Sequence, residues 1–298
     1  MSAYPSVDVV IPTRDRPELL RRAIDAVHAQ EYAGEVRIIV VFEQREPDPG
    51  LGVTAITNTR TPGLAGARNS GILASDGDLV AFCDDDDQWL PGKLAAQVAA
   101  LRAAPTAVLA CCGIRVRYGD TTVDRSLARP EVTLPELLRS RLMELHPSTF
   151  LFRRDALLGP VGLVAEDIPG SYAEDYELLL RAARAGTIRY LGEIGVEVLW
   201  HRRSYFTARW DTITAALMWL LERYPEFADV PPGRARLEGQ IAFARAATGH
   251  RRDAVRWARR TLRSNPREAR AYLALAVASG AVSADRVLGA LHRRGRGI

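Results

Sequence analysis

Four consecutive aspartates, Asp84 to Asp87, directly follow the apolar run Leu79–Cys83. Adjacent carboxylates at the end of a buried strand raise one another's pKa unless a cation joins them. Mg²⁺ and Mn²⁺ take oxygen ligands and keep open positions for substrate phosphates. Because alternate residues of an extended strand point the same way, Asp84 and Asp86 are expected to bind a metal or a sugar together. The alternative is a solvated turn in which Asp87 caps the following helix.

A second acidic pair, Glu174 and Asp175, begins the amphipathic segment Ala173–Gly186, which is predicted to be a helix. The helix dipole favours negative charge in a first turn, so a structural role alone would explain the pair. A carboxylate is also able to accept the proton of an attacking hydroxyl group as a general base. His201, in LWHRRS, is a candidate ligand for a metal or a diphosphate, although a lone histidine is more often structural.

The elements that must position these residues alternate between strands and helices. The predicted strands are Val7–Ile11, Val36–Phe42, Val53–Thr57, Leu79–Cys83, Val108–Arg117, a segment near Phe150, and two segments between Ile188 and His201. This alternation is typical of an α/β fold with a mostly parallel sheet flanked by helices. Ligands of such sheets bind beyond the carboxyl ends of the strands, where Thr13, Arg14, Glu43 and the four aspartates fall.

Helix boundaries are marked by capping residues and glycines. Asp15 and Glu18 have the spacing of a capping box before the first predicted helix. After residue 210 the chain is predicted to be all helix, and Gly249 and Gly280 are each expected to end a helix. Two similar helix–turn–helix segments follow each other at a spacing of 32 residues, a weak pattern of the tetratricopeptide kind.

Charge and cysteine content limit the function classes further. Lys93 is the only lysine among 40 basic residues. The segment Arg234–Ile298 carries 15 arginines against 4 acidic residues, which is a net charge of +11. Such a segment is typical of a solvated helical face, and also of a surface that attracts an anionic partner. The odd cysteine count, Cys83, Cys111 and Cys112, in apolar runs indicates buried reduced thiols rather than metal ligands.

Three segments together resemble glycosyltransferase family 2, over roughly residues 6–205. They are VVIPTRDRPELLRRAIDAVHAQ, ARNSGILASDGDLVAFCDDDDQWLPGKL and AEDYELLLRAARAG, and they occur in the family's order and spacing. The resemblance implies the GT-A fold and the transfer of a sugar, with inversion, from a nucleotide-diphosphate donor. It also implies a divalent cofactor, Mn²⁺ or Mg²⁺.

The resemblance further implies a role for each matching residue. The catalytic base is expected to be Asp175, with Glu174 beside it. Residues expected to contact the donor are Pro12, Thr13, Arg14, Glu43, Arg68, Asp84 and Asp85. Residues expected to bind the metal are Asp86, Asp84 and His201.

One departure from the family pattern concerns the nucleotide base. The family usually has Asp-Asp-Gly-Ser after the second strand, where an Asp accepts the N3–H of uracil, but this chain has VVFEQRE. Glu43 keeps a carboxylate of longer reach, which is still able to accept that hydrogen bond. A UDP-sugar or a dTDP-sugar is therefore the expected donor, and guanine is less favoured.

The expected protein is a metal-dependent inverting glycosyltransferase (EC 2.4, hexosyl or related). Its GT-A domain is predicted over residues 1–210, followed by a tetratricopeptide-like helical domain over 211–298. Four classes of acceptor are compatible with the sequence: a glycan, a lipid-linked sugar, a peptide and a secondary metabolite. One alternative is a sugar-nucleotide pyrophosphorylase, although no glycine-rich loop follows the first strand. Another is a catalytically weak scaffold that acts through its helical tail.

Location and partners follow from the same sequence. No basic segment followed by an apolar stretch begins the chain, and the uncharged run Ala103–Ile114 is too short to span a bilayer. A cytoplasmic enzyme is expected, with peripheral contact at the inner membrane face as an open option. No nucleic-acid partner is expected. Apolar residues at helical spacing in the tail favour packing or a homodimer through the C-terminal helices over membrane contact.

Overall fold

The computed structural model describes residues 4–200 and 209–292. Two compact units make up the chain. The first comprises Met1–Leu134, Leu142–Glu166 and Glu174–Arg202, and the second comprises Pro135–Arg141, Asp167–Ala173 and Arg203–Ile298. Because the second unit also takes in two short segments from the middle of the chain, the boundary after residue 210 stays a prediction.

The first unit contains a sheet that has ten strands among the described residues. The strands are β1 (Val7–Thr13), β2 (Val36–Phe42), β3 (Thr54–Thr57), β4 (Leu79–Phe82), β5 (Gln88–Trp89), β6 (Ala107–Tyr118), β7 (Thr121–Arg125), β8 (Glu131–Val132), β9 (Leu151–Arg153) and β10 (Thr187–Leu199). Their order is β3-β2-β1-β4-β9-β6-β10-β5, with β7 on β6 and β8 on β10. The strands β1, β2, β3 and β4 pair in parallel, as do β6 and β10, and the short β9 is inserted antiparallel between β4 and β6. The strands β5, β7 and β8 are also antiparallel to their neighbours. The predicted α/β fold with a mostly parallel sheet is confirmed.

Helices cover the sheet and form the second unit. They are α1 (Pro17–His28), α2 (Leu64–Ala74), α3 (Lys93–Ala103), α4 (Leu134–Arg139), α5 (Arg154–Leu158), α6 (Glu174–Ala185), α7 (Trp210–Arg223), α8 (Pro231–Ala247), α9 (Arg251–Ser264), α10 (Ala269–Ala278) and α11 (Ala284–His292). No helix among the described residues is long and apolar enough to cross a membrane.

The register of the sheet aligns the strand ends that carry the site. β1 pairs in parallel with β2 and β4, and Val10 lies beside Ile39 on one side and Phe82 on the other. α2 lies very close to this part of the sheet at Gly71. A Cβ atom at this position would collide with the side chain of Val10, so only glycine allows the approach. The carboxyl ends of β1, β2 and β4 therefore meet at one edge, next to α2.

Two local predictions are wrong. Asp15 does not cap α1: it has φ of +57°, Arg16 occupies the N-cap position, and no side-chain hydrogen bond caps the helix. Pro17, whose ring presets a helical φ, occupies the first helical position instead. The four aspartates do not continue β4, which ends at Phe82. They form a turn closed by the Asp87 N–H on the Asp84 carbonyl at 3.1 Å.

The other strands and helices lie close to the positions predicted from the sequence, with one difference. The two predicted final strands are one continuous strand, β10, with irregular register between Leu191 and Val196. Cys83, Cys111 and Cys112 are buried free thiols.

The second unit is a helical unit with a core of small side chains. Alanines from α8, α9 and α10 pack around Phe243. Gly249 and Gly280 end α8 and α10 with φ of +79° and +83°, a left-handed conformation that glycine adopts without steric cost. The prediction that these glycines end helices is confirmed.

Candidate active site

The four aspartates of the turn face four different sets of partners. Asp85 is the most tightly held toward β1: the Thr13 hydroxyl donates to its Oδ2 at 2.7 Å, and the Arg14 N–H donates to the same oxygen at 3.4 Å. Burial raises the pKa of Asp85 to about 6. Two predicted donor-contacting residues, Thr13 and Asp85, are thus brought into direct contact, and Arg14 reaches them only through its backbone.

Asp86 and Asp85 share one cation. Nη1 of Arg16 lies 3.2 Å from Oδ1 of Asp85 and 2.5 Å from Oδ2 of Asp86. Arg16 was not predicted from the sequence, because a basic residue just before a helix carries no distinctive signal. It directly follows Asp15, which has a positive φ of 57°.

Asp84 faces the interior of the site through Arg68. This arginine of α2 is 1% exposed, and it donates to Oδ1 of Asp84 at 2.6 Å and to Oε1 of Glu174. Burial would lower the pKa of Arg68, but the carboxylates of Asp84, Glu174 and Asp175 outweigh it and raise that pKa. Arg68 therefore joins the aspartate turn to the start of α6, two acidic motifs that lie far apart in the sequence.

Asp87 points into the protein. Its carboxylate accepts hydrogen bonds from the Ser148 hydroxyl at 2.5 Å and from the Leu199 N–H at 3.2 Å, and Nδ1 of His146 lies 3.2 Å from it. Burial raises the pKa of Asp87. Burial also lowers the pKa of His146, against the opposing effect of the nearby carboxylates. Asp87 thus fixes the turn to β10 and to the segment before β9.

A metal-binding arrangement follows from these contacts. Ligand atoms of Asp84, Asp87 and His146 all lie within 4.8 Å of one another. Carboxylate oxygens suit Mg²⁺ and Mn²⁺, and imidazole is an accepted additional ligand of transition metals. The chemistry of this cluster therefore fits a divalent cation. His146 was not predicted from the sequence, and His201, which was, lies outside the described residues.

Glu43, at the end of β2, is engaged within its own loop. Its carboxylate accepts from Nδ2 of Asn58 at 2.6 Å and from the Gly63 N–H at 3.0 Å, and it is 8% exposed. Its backbone N–H donates to the Thr13 carbonyl at 3.0 Å. Glu43 therefore shapes the 58–63 loop beside α2. Its predicted contact with the nucleotide base stays a prediction.

The remaining predicted residues lie at the same edge of the sheet. Pro12 is buried in β1 next to Thr13. Glu174 and Asp175 are 4% and 8% exposed in the first turn of α6. The charge of Asp175 contributes to the raised pKa of Arg68 and opposes the effect of burial on the pKa of His146. Apart from His201, which lies outside the described residues, the predicted catalytic, donor and metal residues all belong to the first unit.

Residues 8–158 match the family described as Glycosyl transferase family 2. The chain belongs to this family of glycosyltransferases, and its fold is the GT-A fold.

Curated relatives support the same assignment. The chain is 32% identical over 105 residues to the putative colanic acid biosynthesis glycosyl transferase WcaA of Escherichia coli, covering 32% of this chain and 37% of that protein. It is 29% identical over 101 residues to the GalNAc(5)-diNAcBac-PP-undecaprenol beta-1,3-glucosyltransferase of Campylobacter jejuni, covering 30% and 32%. The chain spans well under half of the length of the curated relatives it matches.

Solved structures share the fold at low sequence identity. TarS 1–349 of S. aureus in complex with UDP-GlcNAc matches with a TM-score of 0.65 and 15% identity, over 98% of this chain and 92% of that chain. The mannosyltransferase PcManGT of Pyrobaculum calidifontis, in complex with GDP-Man and Mn²⁺, matches with a TM-score of 0.56 and 20% identity, over 94% and 80%. At these identities the likeness shows the fold alone.

Replacing Arg68 by methionine should destabilise the first unit strongly. The change leaves the carboxylates of Asp84 and Glu174 close together without their cation. Breaking a buried ion pair from one side costs about 3–5 kcal/mol. Urea unfolding at pH 7 measures the change, with Arg115→Gln as control because its ion pair with Asp124 is exposed. A methionine variant as stable as the control would contradict the central role of Arg68.

The free energy of unfolding should depend on pH between 4.5 and 2 because of the carboxylate of Glu166. Burial would raise the pKa of Glu166, but hydrogen bonds from Asn69, Thr61 and Arg60 outweigh it and lower that pKa to about 2. A depressed pKa contributes stability above the unfolded-state pKa of about 4.5, and that stability is lost as pH falls toward 2. Glu166→Gln should therefore lower the free energy of unfolding, on the order of 2 kcal/mol, at pH 7. The difference from the parent should shrink steadily between pH 4.5 and 2, and a difference independent of pH would contradict the assignment.

Proposed function

We propose that this protein is a metal-dependent inverting glycosyltransferase that uses a nucleotide-diphosphate sugar. The observation that carries the proposal is the buried contact of Arg68 with both Asp84 and Glu174. It holds the aspartate turn, which suits a diphosphate and its cation, beside the acidic start of α6, which suits an acceptor hydroxyl group. Family membership argues against the pyrophosphorylase alternative.

Different residues are proposed to serve the donor side and the acceptor side of the reaction. When bound, a divalent cation would be held by Asp84, which belongs both to the cluster with Asp87 and His146 and to the ligands expected from the sequence, with Asp86 and His201 as further proposed ligands. It would supply Lewis-acid stabilisation of the departing nucleoside diphosphate. Asp87 holds the turn in place through Ser148 and Leu199. On the other side, Asp175 accepts the proton of the attacking hydroxyl group, and Glu174, fixed by Arg68, positions that part of α6. A single displacement between the two sides inverts the anomeric centre.

The donor is proposed to be a UDP-sugar or a dTDP-sugar. Glu43 lies at the end of β2, next to Thr13 and within the same edge of the sheet as Asp85. Its carboxylate is able to accept the N3–H that uracil and thymine share. Both carboxylate oxygens of Glu43 already accept a hydrogen bond, one from Asn58 and one from the Gly63 N–H. One of them would accept the N3–H of the base as a second hydrogen bond, which the several lone-pair sites of a carboxylate allow.

The acceptor is proposed to be a glycan or a lipid-linked sugar. Relatives of the chain are named for colanic acid biosynthesis, for succinoglycan biosynthesis and for glucosyl transfer to a diphosphoundecaprenol-linked sugar. Those activities belong to proteins that this chain matches over less than half of their length. They favour such acceptors over a peptide or a secondary metabolite.

The helical unit is proposed to contact an anionic membrane surface. Among the apolar residues that favoured a homodimer, Leu262, Leu273, Leu275 and Leu291 are partly buried against the unit's own core, and Tyr272 is 53% exposed. Outward, α9 exposes arginines at spacings of four, three and four residues, which places them along one face: Arg252, Arg256, Arg259 and Arg263. A basic face of this kind complements anionic lipid headgroups, and peripheral location at the inner membrane face follows from it.

Asp175→Asn should lower kcat by about 10²–10⁴-fold, because the amide cannot accept the acceptor's proton. Donor affinity should change little, since Asp175 serves the acceptor side. The measurement is nucleoside diphosphate release from UDP- and dTDP-sugars with and without Mn²⁺, with thermal shift for donor binding. Asp155→Asn, in the first turn of α5, is the control for a purely structural helix acid. Lost donor binding with normal turnover at saturating donor would reverse the proposed role, and a parent without turnover would favour the scaffold alternative.

Arg259→Gln combined with Arg263→Gln should weaken binding to anionic vesicles. Each basic residue near an anionic bilayer contributes roughly 1 kcal/mol, so the double variant should bind about 30-fold more weakly at low salt. Co-sedimentation with phosphatidylglycerol vesicles measures the change, with phosphatidylcholine vesicles and Arg115→Gln as controls. A salt-independent dimer that ignores both kinds of vesicle would contradict the membrane proposal and restore the homodimer.

A further inference from the structure

The guanidinium group of Arg16 lies on the carboxylates of two neighbouring aspartates of the turn, Asp85 and Asp86. Its Nη1 is 3.2 Å from Oδ1 of Asp85 and 2.5 Å from Oδ2 of Asp86. The Arg16 side chain is 42% exposed, whereas those of Asp85 and Asp86 are 8% and 16% exposed. Arg16 therefore covers the acidic pair from the solvent side, and its charge offsets theirs.

The backbone leaves this side chain able to move. Arg16 is the N-cap residue of α1, with φ of −134° and ψ of 56°, so it precedes the first helical residue, Pro17. Its carbonyl accepts the Leu20 N–H and anchors the main chain. A change of rotamer at Arg16 would therefore break side-chain contacts with Asp85 and Asp86 without unwinding α1.

Arg68, the other arginine on the turn, lacks this freedom. It is 1% exposed and is committed to Asp84 and Glu174. Movement of Arg68 would leave two carboxylates uncompensated in the interior, which is strongly unfavourable. Arg16, in contrast, exposes its partners to water when it moves, so the cost of separation is modest.

A divalent cation and the Arg16 guanidinium compete for the same oxygen atoms. Both are positive, and both would use the carboxylate of Asp86. A nucleoside diphosphate changes this balance, because its phosphate oxygens accept bidentate hydrogen bonds from a guanidinium group as well as a carboxylate does.

We propose that the Arg16 guanidinium group stays on Asp85 and Asp86, and so keeps a cation from Asp86, until a nucleoside diphosphate arrives, and then exchanges Asp86 for the diphosphate. The proposal rests on the function proposed above. Its consequence is that the protein binds a divalent cation weakly alone and tightly together with the nucleotide. Arg16 thereby binds the donor, and it also prevents tight binding of the metal ion before the nucleotide is bound.

The test is calorimetric titration of Mn²⁺ into the full chain, its Arg16→Gln variant and an Arg22→Gln control. Arg22 is exposed on α1, so the control removes the same charge away from the turn. Without nucleotide, Arg16→Gln should bind Mn²⁺ about tenfold more tightly than the parent, because a competing cation is gone. UDP, and dTDP in parallel, should bind Arg16→Gln about tenfold more weakly in the presence of Mn²⁺. Arg22→Gln should match the parent in both titrations, and Arg16→Lys should restore weak Mn²⁺ binding.

Equal Mn²⁺ affinity of the parent and Arg16→Gln in the absence of nucleotide would overturn the exchange. Weaker nucleotide binding with unchanged Mn²⁺ affinity would also overturn it, since Arg16 would then be only a phosphate ligand. If neither protein bound Mn²⁺ even with UDP or dTDP, the proposed metal dependence itself would fail, and the exchange with it.

Discussion

A single buried guanidinium group organises the catalytic edge of the sheet. Arg68 lies in α2, donates to Asp84 and Glu174, and is closed off from water. A charge in such a place is stable only when it is paired, so the aspartate turn and the start of α6 are bound to stay together. α2 reaches this position because Gly71 lets it approach β1 closely. The geometry of the site therefore depends on one ion triad and one glycine.

The four aspartates around that ion triad contact different partners. Asp87 is internal and holds the turn to Ser148 and Leu199. Asp85 is held by Thr13. Asp84 and Asp86 face the two arginines, of which Arg68 is buried and Arg16 is 42% exposed. Like charges side by side are tolerated because each carboxylate has a hydrogen-bond or ion-pair partner, with Arg16 shared between Asp85 and Asp86.

The helical unit follows a different physical rule. Its core is built largely from alanine, with helices that approach closely around Phe243. Small side chains bury little area each, so close helix packing must supply the contact. The same helices place arginine on their outer faces, and α9 is the clearest case. The helical unit therefore combines a small-residue core with a basic exterior.

Much of this protein was determined by its sequence alone. The order of strands and helices, the helix ends at Gly249 and Gly280, and the family all follow from local patterns, because periodicity and capping are properties of short segments. Tertiary structure decided what each aspartate contacts. Thr13 and Asp85 are 72 residues apart, and Arg68 and Glu174 are 106 apart. His146 and Arg16 join the site through such long-range contacts, which leave no signature in their own neighbourhoods. The end of β4 at Phe82 was likewise decided by partners distant in sequence, since strand periodicity cannot show where a strand gives way to a turn.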